Sequence, residues 1–590
     1  MKTAQRRILA MKQKLVYKKI SMKTKSLFAI LLFFSITAKA QDIESVINAP
    51  IVNTTGGISV NTISTFVPND SAATNPFALF LSGNLNFSLF NVVNVPLTFA
   101  YSNQQLSGSA SLPFNRFSLS PSYKWVKTYM GYTSMTFSPY SLAGHELLGG
   151  GIELTPNNGL KVSALFGRLR KETAGSDDIE PAYKRMGGGL KVEYEQEKYT
   201  AGVNIFKAQD LQNTLPLANP DSLPVLPQDN LTGGANFSLN VIKNVRLSAE
   251  YGFSALNRNM YGQSEKFRFL ETEGDLAVHH ALKTQASYAH KIATIGATYE
   301  YVAPNYATLG AYYMINDFEN ITANIATVIK KFNLAFDVGY QHNNLDKQKN
   351  STSSRFIYSG NLSGNITDKL SVALNSSNLQ SYLFINDIYS QVTQTNQFQN
   401  LDTLNVTQLN STTSLSTNYI LQSSKEQQQS VNLNCMYQRS AEAQQFSEFA
   451  GNNIYNAALA YQLSLIPAQF NASASVNYNY NQMPDTIFSQ AITYNLTVGK
   501  VFFKELKTSI SATYSDMNSE QGKLSDVLNL RLSGGYTLAK KHNFNLAATF
   551  LYTKIPAKIR TQYAINFSYA YSFGAQINRK NKKVQIEGNF

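Results

Sequence analysis

Residues 563–573 alternate without interruption. Tyr563, Ile565, Phe567, Tyr569, Tyr571 and Phe573 take the odd positions, and Ala564, Asn566, Ser568, Ala570 and Ser572 the even ones. A period of two places every large apolar group on one face of a strand and every small or polar group on the other. In a soluble sandwich a second layer would have to cover that aromatic face. Here the pattern recurs from about residue 56 to residue 573, with no helix-periodic block to do the covering. Repetition without a covering layer predicts an all-β chain closed into one large antiparallel barrel, its apolar face toward lipid and its polar face around a lumen.

The spacing predicts about 26 strands, within a range of 22–28. Representative segments are 79–90, 128–138, 160–169, 200–206, 332–340 and 544–552. Connections alternate between short lysine-bearing turns, as at Lys330-Lys331 and Lys540-Lys541, and long polar loops such as 207–230, 254–275 and 378–411. Short periplasmic turns and long external loops are how outer-membrane barrels are laid out. Tyr306–Asn316 reads as a strand, but counting it would invert that alternation downstream, so 304–319 is assigned to an external or lumen-folded loop. Segment 56–66 is taken as the first strand. The alternative is that 583–590, which ends in Phe590, closes the barrel instead.

The barrel is expected over 56–590, with a secretory signal over 1–40 and a short periplasmic lead-in over 41–55. The signal has a basic start at Met22–Ser26, an apolar run over 27–38 of about twelve residues, and an Ala38-Lys39-Ala40 cleavage site before Gln41. That run is too short for a membrane helix. Met22 is an alternative start. Export in this way leads to the outer membrane. The formal charge of +14 is concentrated there: residues 1–40 hold ten lysines and arginines and no acid. Without those ten, 41 basic residues face 37 acidic ones, a balance of +4. A nucleic-acid partner built on net charge is therefore not expected. The single Cys435 excludes a disulfide framework and a cysteine-based metal site, and no cofactor is expected.

Charge placement fixes the faces. Lys191, Glu193, Glu195, Arg246, Glu250, Glu300, Asp337, Lys507 and Arg531 fall on the Asn/Ser/Thr parity. A lipid-facing Arg or Lys at the bilayer midplane costs roughly 2–4 kcal/mol, so that parity is read as the lumen. The first half of the strands carries mixed charge, whereas the second lines its lumen mostly with Asn, Ser, Thr and Gln. Two readings stand: a network of ion pairs and hydrogen bonds holding a wide barrel open, or a charged constriction that selects solutes. Neither the glycine clusters at 149–151 and 187–189 nor the six histidines amount to a phosphate loop or a metal site. No Gly-Lys-Ser/Thr follows the clusters, and His279 and His280 point to opposite faces of one strand. His145, in Ser141-Leu142-Ala143-Gly144-His145-Glu146, has the one mildly suggestive setting, and a catalytic role is not expected.

The stretches Phe114-Asn115-Arg116-Phe117, Ser120-Pro121-Ser122-Tyr123-Lys124-Trp125, Gly131-Tyr132 and Phe137-Ser138-Pro139-Tyr140-Ser141-Leu142-Ala143-Gly144-His145 resemble uncharacterised outer-membrane β-barrel proteins of Bacteroidota. The resemblance implies fold and location and carries no catalytic residues. Only about fifteen residues separate the expected cleavage site from the first strand, where a plug domain needs on the order of a hundred. An N-terminal plug domain is therefore not expected. Four Asp-Ser/Thr-apolar triplets match the O-glycosylation sequon of that phylum, with acceptors Ser71, Ser222, Thr403 and Thr486. Two non-enzymatic functions follow: a transport or pore-type barrel, or a structural subunit of an envelope complex whose lumen is plugged by loops or a partner. The expected partners are membrane lipid, barrel-insertion machinery and other envelope proteins. A barrel this wide would leak unless filled, and 378–411 is the candidate for an inward-folding loop.

Overall fold

The structure is a computed structural model that describes residues 50–68, 77–104, 115–174, 181–215, 225–261, 264–267, 270–273, 276–349, 354–378, 408–442, 451–483, 488–577 and 584–585. The expected signal, residues 41–49 of the lead-in, residues 379–407 of the candidate inward loop, and the acceptors Ser71, Ser222, Thr403 and Thr486 lie outside the described residues.

The chain forms a closed antiparallel barrel of 26 strands, with almost no helix among the described residues. Each strand pairs with the next in sequence, and the sheet closes where the first strand, Val52–Phe66, pairs with Lys558–Ile577. At the seam, Phe66 and Tyr563 bring their rings to 6.4 Å. The expected count is observed, and the expected first strand, 56–66, is present but starts earlier, so residues 52–55 of the expected lead-in belong to the wall. Among the described residues the tail adds the two-residue strand Val584–Gln585, which pairs with Ile577 and Gln576, and the barrel is closed by Lys558–Ile577 instead.

Closure by in-sequence hairpins satisfies the backbone of every central strand, the condition for crossing hydrocarbon without a helix. Several short turns place non-glycine residues in the left-handed region, such as Ala539 and Lys540 with φ of 51° and 56°. Two consecutive positive φ values give a turn whose twist matches the flanking strands. Strand Tyr199–Asp210 shows the two-faced chemistry: Val203 and Ile205 are 59% and 48% exposed, while Asn204 and Phe206 are 8% and 0%. The exposed apolar face is the barrel's outside.

The residues group into two compact units. The larger comprises Thr55–Asn86 and Val95–Phe573 and holds almost all of the wall. The smaller has as its described part residues 50–54, 87–94, 574–577 and 584–585. Within it, Ile51 N–H donates to Ile577 O (2.7 Å) and Phe90 N–H to Ile51 O (3.1 Å).

One expected strand is shorter than its pattern. Alternation predicted 128–138, but the strand is Val126–Thr133. From residue 134 the chain leaves the wall, because Met135 and Phe137 are buried against other side chains instead of facing lipid.

Candidate functional site

Two connections, residues 134–146 and 303–317, fold inside the barrel and pack on each other. Both start from the end of the wall that carries the long connections. The 134–146 segment turns back on itself, with Phe137 N–H donating to Leu142 O (2.8 Å) and an antiparallel bridge between Thr136 and Ala143. Leu142 then makes a parallel bridge to Gly310, and Ala143 N–H donates to Gly310 O (3.0 Å). Tyr306 OH donates to Tyr140 O (2.6 Å) and Thr308 Oγ1 to Ser141 O (2.6 Å). The assignment of 304–319 to a lumen-folded loop holds for 304–317, while Phe318 and Glu319 already belong to the next wall strand.

Polar groups on the inner face of the wall anchor this pair. Ser138 Oγ donates to Glu250 Oε1 (2.6 Å), Tyr140 OH to Glu300 Oε1 (2.8 Å), and Ser141 Oγ to Asn204 Oδ1 (2.7 Å). Asn230 Oδ1 accepts from Leu309 N–H (3.0 Å), and Ser254 Oγ donates to Ala307 O (2.5 Å). Every anchor lies on the polar parity of its strand, so each strand serves lipid and segment from opposite faces. Apolar packing adds to this: Phe137, Leu142, Phe206 and Leu309 belong to one buried cluster, and Tyr140 and Tyr306 to another.

The glycines supply space. A Cβ on Gly151 would meet Met135 Cε at 2.8 Å, one on Gly189 would meet the Phe137 ring at 2.9 Å, and one on Gly252 would meet Tyr140 Cβ at 2.5 Å. Gly151, Gly189 and Gly252 thus leave room for inward side chains, whereas Gly149, Gly150, Gly187 and Gly188 lie against neighbouring strands of the wall.

Most first-half charges are partnered. Lys191 pairs with Glu193 at 3.1 Å, Glu195 with Lys161, and Glu300 with Lys283 at 3.1 Å. Arg246 donates to Ser238 Oγ at 3.1 Å. At the end of Tyr199–Asp210 that carries the long connection, the fully buried carboxylate of Asp210 accepts from Arg185 Nε (2.8 Å) and lies 3.2 Å from an Arg170 nitrogen. Asp337, on Phe332–His342, is exposed and has no ion pair among the described residues. The network reading of the first-half charges thus fits most of them.

His145 is buried, stacks on Tyr312 with ring centroids 4.0 Å apart, and donates from Nδ1 to Glu146 O (2.8 Å). Burial pushes its pKa down from the usual 6.5 to about 4; the Glu146 carbonyl opposes this, and the Arg185 and Arg170 charges add to it. A group held neutral in the packed state contributes fully above its unpacked pKa, and the contribution is lost as pH falls toward the packed value. Acidification from about 6.5 to about 4 is therefore expected to loosen residues 134–146. Hydrogen exchange on these residues should rise across that window, and His145→Phe, which keeps the stacking, should abolish the pH dependence. No group of three His, Cys, Asp or Glu side chains able to hold a metal occurs among the described residues.

A cavity of about 990 Å³ lies on the other side of the lumen among the described residues. It is bounded by the inner faces of strands from Gln408–Ser423 through Lys558–Ile577, together with Asn61 of the first strand. Its wall presents Asn418, Gln462, Ser473, Asn545 and Asn566, and the expected charges Lys507 and Arg531 both border it. Sequence reasoning located these two cations but missed Tyr140, Tyr306 and Ser138. Two signals could have found them: the break in alternation at 304–319, and Phe206, an aromatic on an otherwise small or polar parity.

Neither a family model nor a curated protein sequence matches the chain. Among solved structures, it is similar to the P pilus usher (PapC) translocation pore, at 11% identity over 88% of this chain and 99% of that one, with a TM-score of 0.37. It is also similar to OccK11 (OpdR) of Pseudomonas aeruginosa, at 6% identity over 90% and 98%, with a TM-score of 0.30. The FrpB iron transporter of Neisseria meningitidis shares 10% identity over 91% and 84%, with a TM-score of 0.37. At these values the likeness carries no functional argument, and the chain's own closed strand pairing and apolar exterior identify it as a membrane-spanning β-barrel.

Proposed function

We propose that this protein is a pore-type barrel of the outer membrane, through which polar solutes pass along one side of a partly self-filled lumen. The observation that carries this is the asymmetry of the interior. Residues 134–146 and 303–317 are hydrogen-bonded to the wall on one side, while the wall built from Gln408–Ser423 onward borders an open polar cavity of about 990 Å³. Asn, Gln, Ser and Thr side chains replace part of a solute's hydration shell without a large desolvation cost, the chemistry of a permeation path. Mixed, mutually paired charge on the filled side, including Lys191, Glu193, Glu195 and Glu300, serves to hold the wall and the inner segments together. Arg246, Glu250 and Asp337 belong to the same polar parity. Export through residues 1–40 and insertion by barrel-assembly machinery are part of this reading.

Planar-bilayer recording of the detergent-purified full-length protein tests it. Steady, ohmic single-channel conductance is expected. Silence across many insertions, with the barrel shown folded by heat-dependent gel mobility, would instead support a scaffolding subunit whose lumen is closed.

A further inference from the structure

The 990 Å³ cavity has a charge pattern that a general pore does not require. Along the described strands from Gln408–Ser423 to Lys558–Ile577, the polar parity is mostly Asn, Gln, Ser, Thr and small residues, and its charged members at the cavity are Lys507 and Arg531; Lys500, on the other parity, also borders the cavity and adds a positive charge. Neither Lys507 nor Arg531 makes an ion pair among the described residues. Their cross-strand neighbours carry no acid: Lys507 sits opposite Val501 and Gly535, and Arg531 opposite Ser511 and Thr549. The acids Asp516 and Asp526 of the same two strands are engaged elsewhere, on either side of Lys523 at 2.9 and 2.8 Å.

Gly535 and Arg531 are four residues apart on one strand, so the two cations lie about 14 Å apart along the wall at ~3.4 Å per residue. That exceeds a Debye length of about 8–10 Å at physiological ionic strength, so they do not much repel each other. They form two separate anion-attracting points on a hydroxyl- and amide-bearing surface. Meanwhile the acids Glu193, Glu195 and Glu300, on the filled side, are neutralised by lysines. The uncompensated fixed charge bordering the open space is positive.

We infer that this cavity is a binding vestibule for anionic sugars, with Lys507 and Arg531 holding the acidic groups and the Asn, Gln and Ser side chains taking the hydroxyls. A guanidinium presents a planar fork that matches a carboxylate or phosphate, and an ammonium adds a point charge. Neutral amides both donate and accept, as a ring of hydroxyls requires. The solute's passage rests on the pore reading, but its binding does not.

Two measurements on the full-length, detergent-purified protein separate these claims. Saturation-transfer NMR with glucuronate, glucose 6-phosphate and glucose as probes should show transfer to both anions several-fold above that to glucose. That excess should vanish in Lys507→Gln/Arg531→Gln and persist in Lys161→Gln, a change on the filled side. Transfer to glucuronate alone or to glucose 6-phosphate alone would narrow the acidic group to carboxylate or phosphate. Equal transfer to all three probes, or an anion excess unchanged in the double variant, overturns the site. In a bilayer with a KCl gradient, the reversal potential should favour chloride over potassium, and Lys507→Glu/Arg531→Glu should reverse that preference. A reversed sign cannot come from a misfolded variant. A wild-type preference for potassium overturns the inference. A silent channel that keeps the NMR preference defeats the pore reading and leaves the vestibule standing.

Discussion

Replacing residues 303–317 with a four-residue Gly/Asn turn should raise single-channel conductance several-fold and leave the barrel folded. The wall does not need the segment: Ala293–Val302 and Phe318–Ile329 pair residue for residue up to Val302 opposite Phe318, so a tight turn can join them. The segment's material sits inside the lumen, with Tyr306 wholly buried and Leu309 9% exposed. Its removal also strips residues 134–146 of the hydrogen bonds from Tyr306 and Thr308, leaving them held by Glu250, Glu300 and Asn204. Tyr306→Phe should have a smaller effect of the same sign, because it removes one hydrogen bond and keeps the packing, a net change of about 1 kcal/mol. Gly252→Leu pushes the same way by steric means, since even a Cβ there meets Tyr140 at 2.5 Å. Conductance unchanged by the 303–317 replacement would show that the inner segments do not lie across the path.

The second large effect is on stability. Asp210→Ala should destabilise the barrel by about 3–5 kcal/mol, the usual penalty for removing one partner of a buried ion pair. The Asp210 side chain is fully buried, and its two oxygens accept from Arg185 Nε and Nη2 at 2.8 and 2.9 Å, from Arg170 Nη2 at 3.2 and 3.3 Å, and from the Gln228 N–H at 3.1 Å. Without the carboxylate, two guanidiniums face each other with side-chain exposures of only 33% and 12%. Asp210→Asn should fall between wild type and alanine, because it keeps the shape and loses the charge. Denaturant unfolding in detergent, followed by tryptophan-independent far-UV signal, reads the difference. An alanine variant as stable as wild type would mean that the arginines find other partners at no cost.

Much of this molecule was legible before any coordinates. Period-two alternation predicted the strands because a membrane wall leaves each residue one binary choice, lipid or interior, and that choice is written in the side chain itself. The same rule gave 56–66 and 563–573 as strands and the polar parity of Lys507 and Arg531, but left open whether 583–590 closes the barrel, which the pairing of Val52–Phe66 with Lys558–Ile577 decides. The rule fails where the environment stops being two-sided. At 134–138 the alternation continues in sequence, yet Met135 and Phe137 serve a protein interior, and a side chain that suits lipid suits a buried cluster equally well.

The sequence by itself determined that the chain closes into a barrel, where its wall lies, and which face of each strand meets hydrocarbon, since burial of apolar groups and solvation of charged ones are local preferences. Only the tertiary structure decided that Tyr140 and Tyr306 meet inside the lumen, that glycines at 151, 189 and 252 are seats for inward side chains, and that the open space lies beside the cationic side of the wall. Those facts depend on contacts between residues far apart in the chain, from Met135 with Gly151 to Ser138 with Glu250 and Tyr306 with Tyr140, which no local pattern encodes.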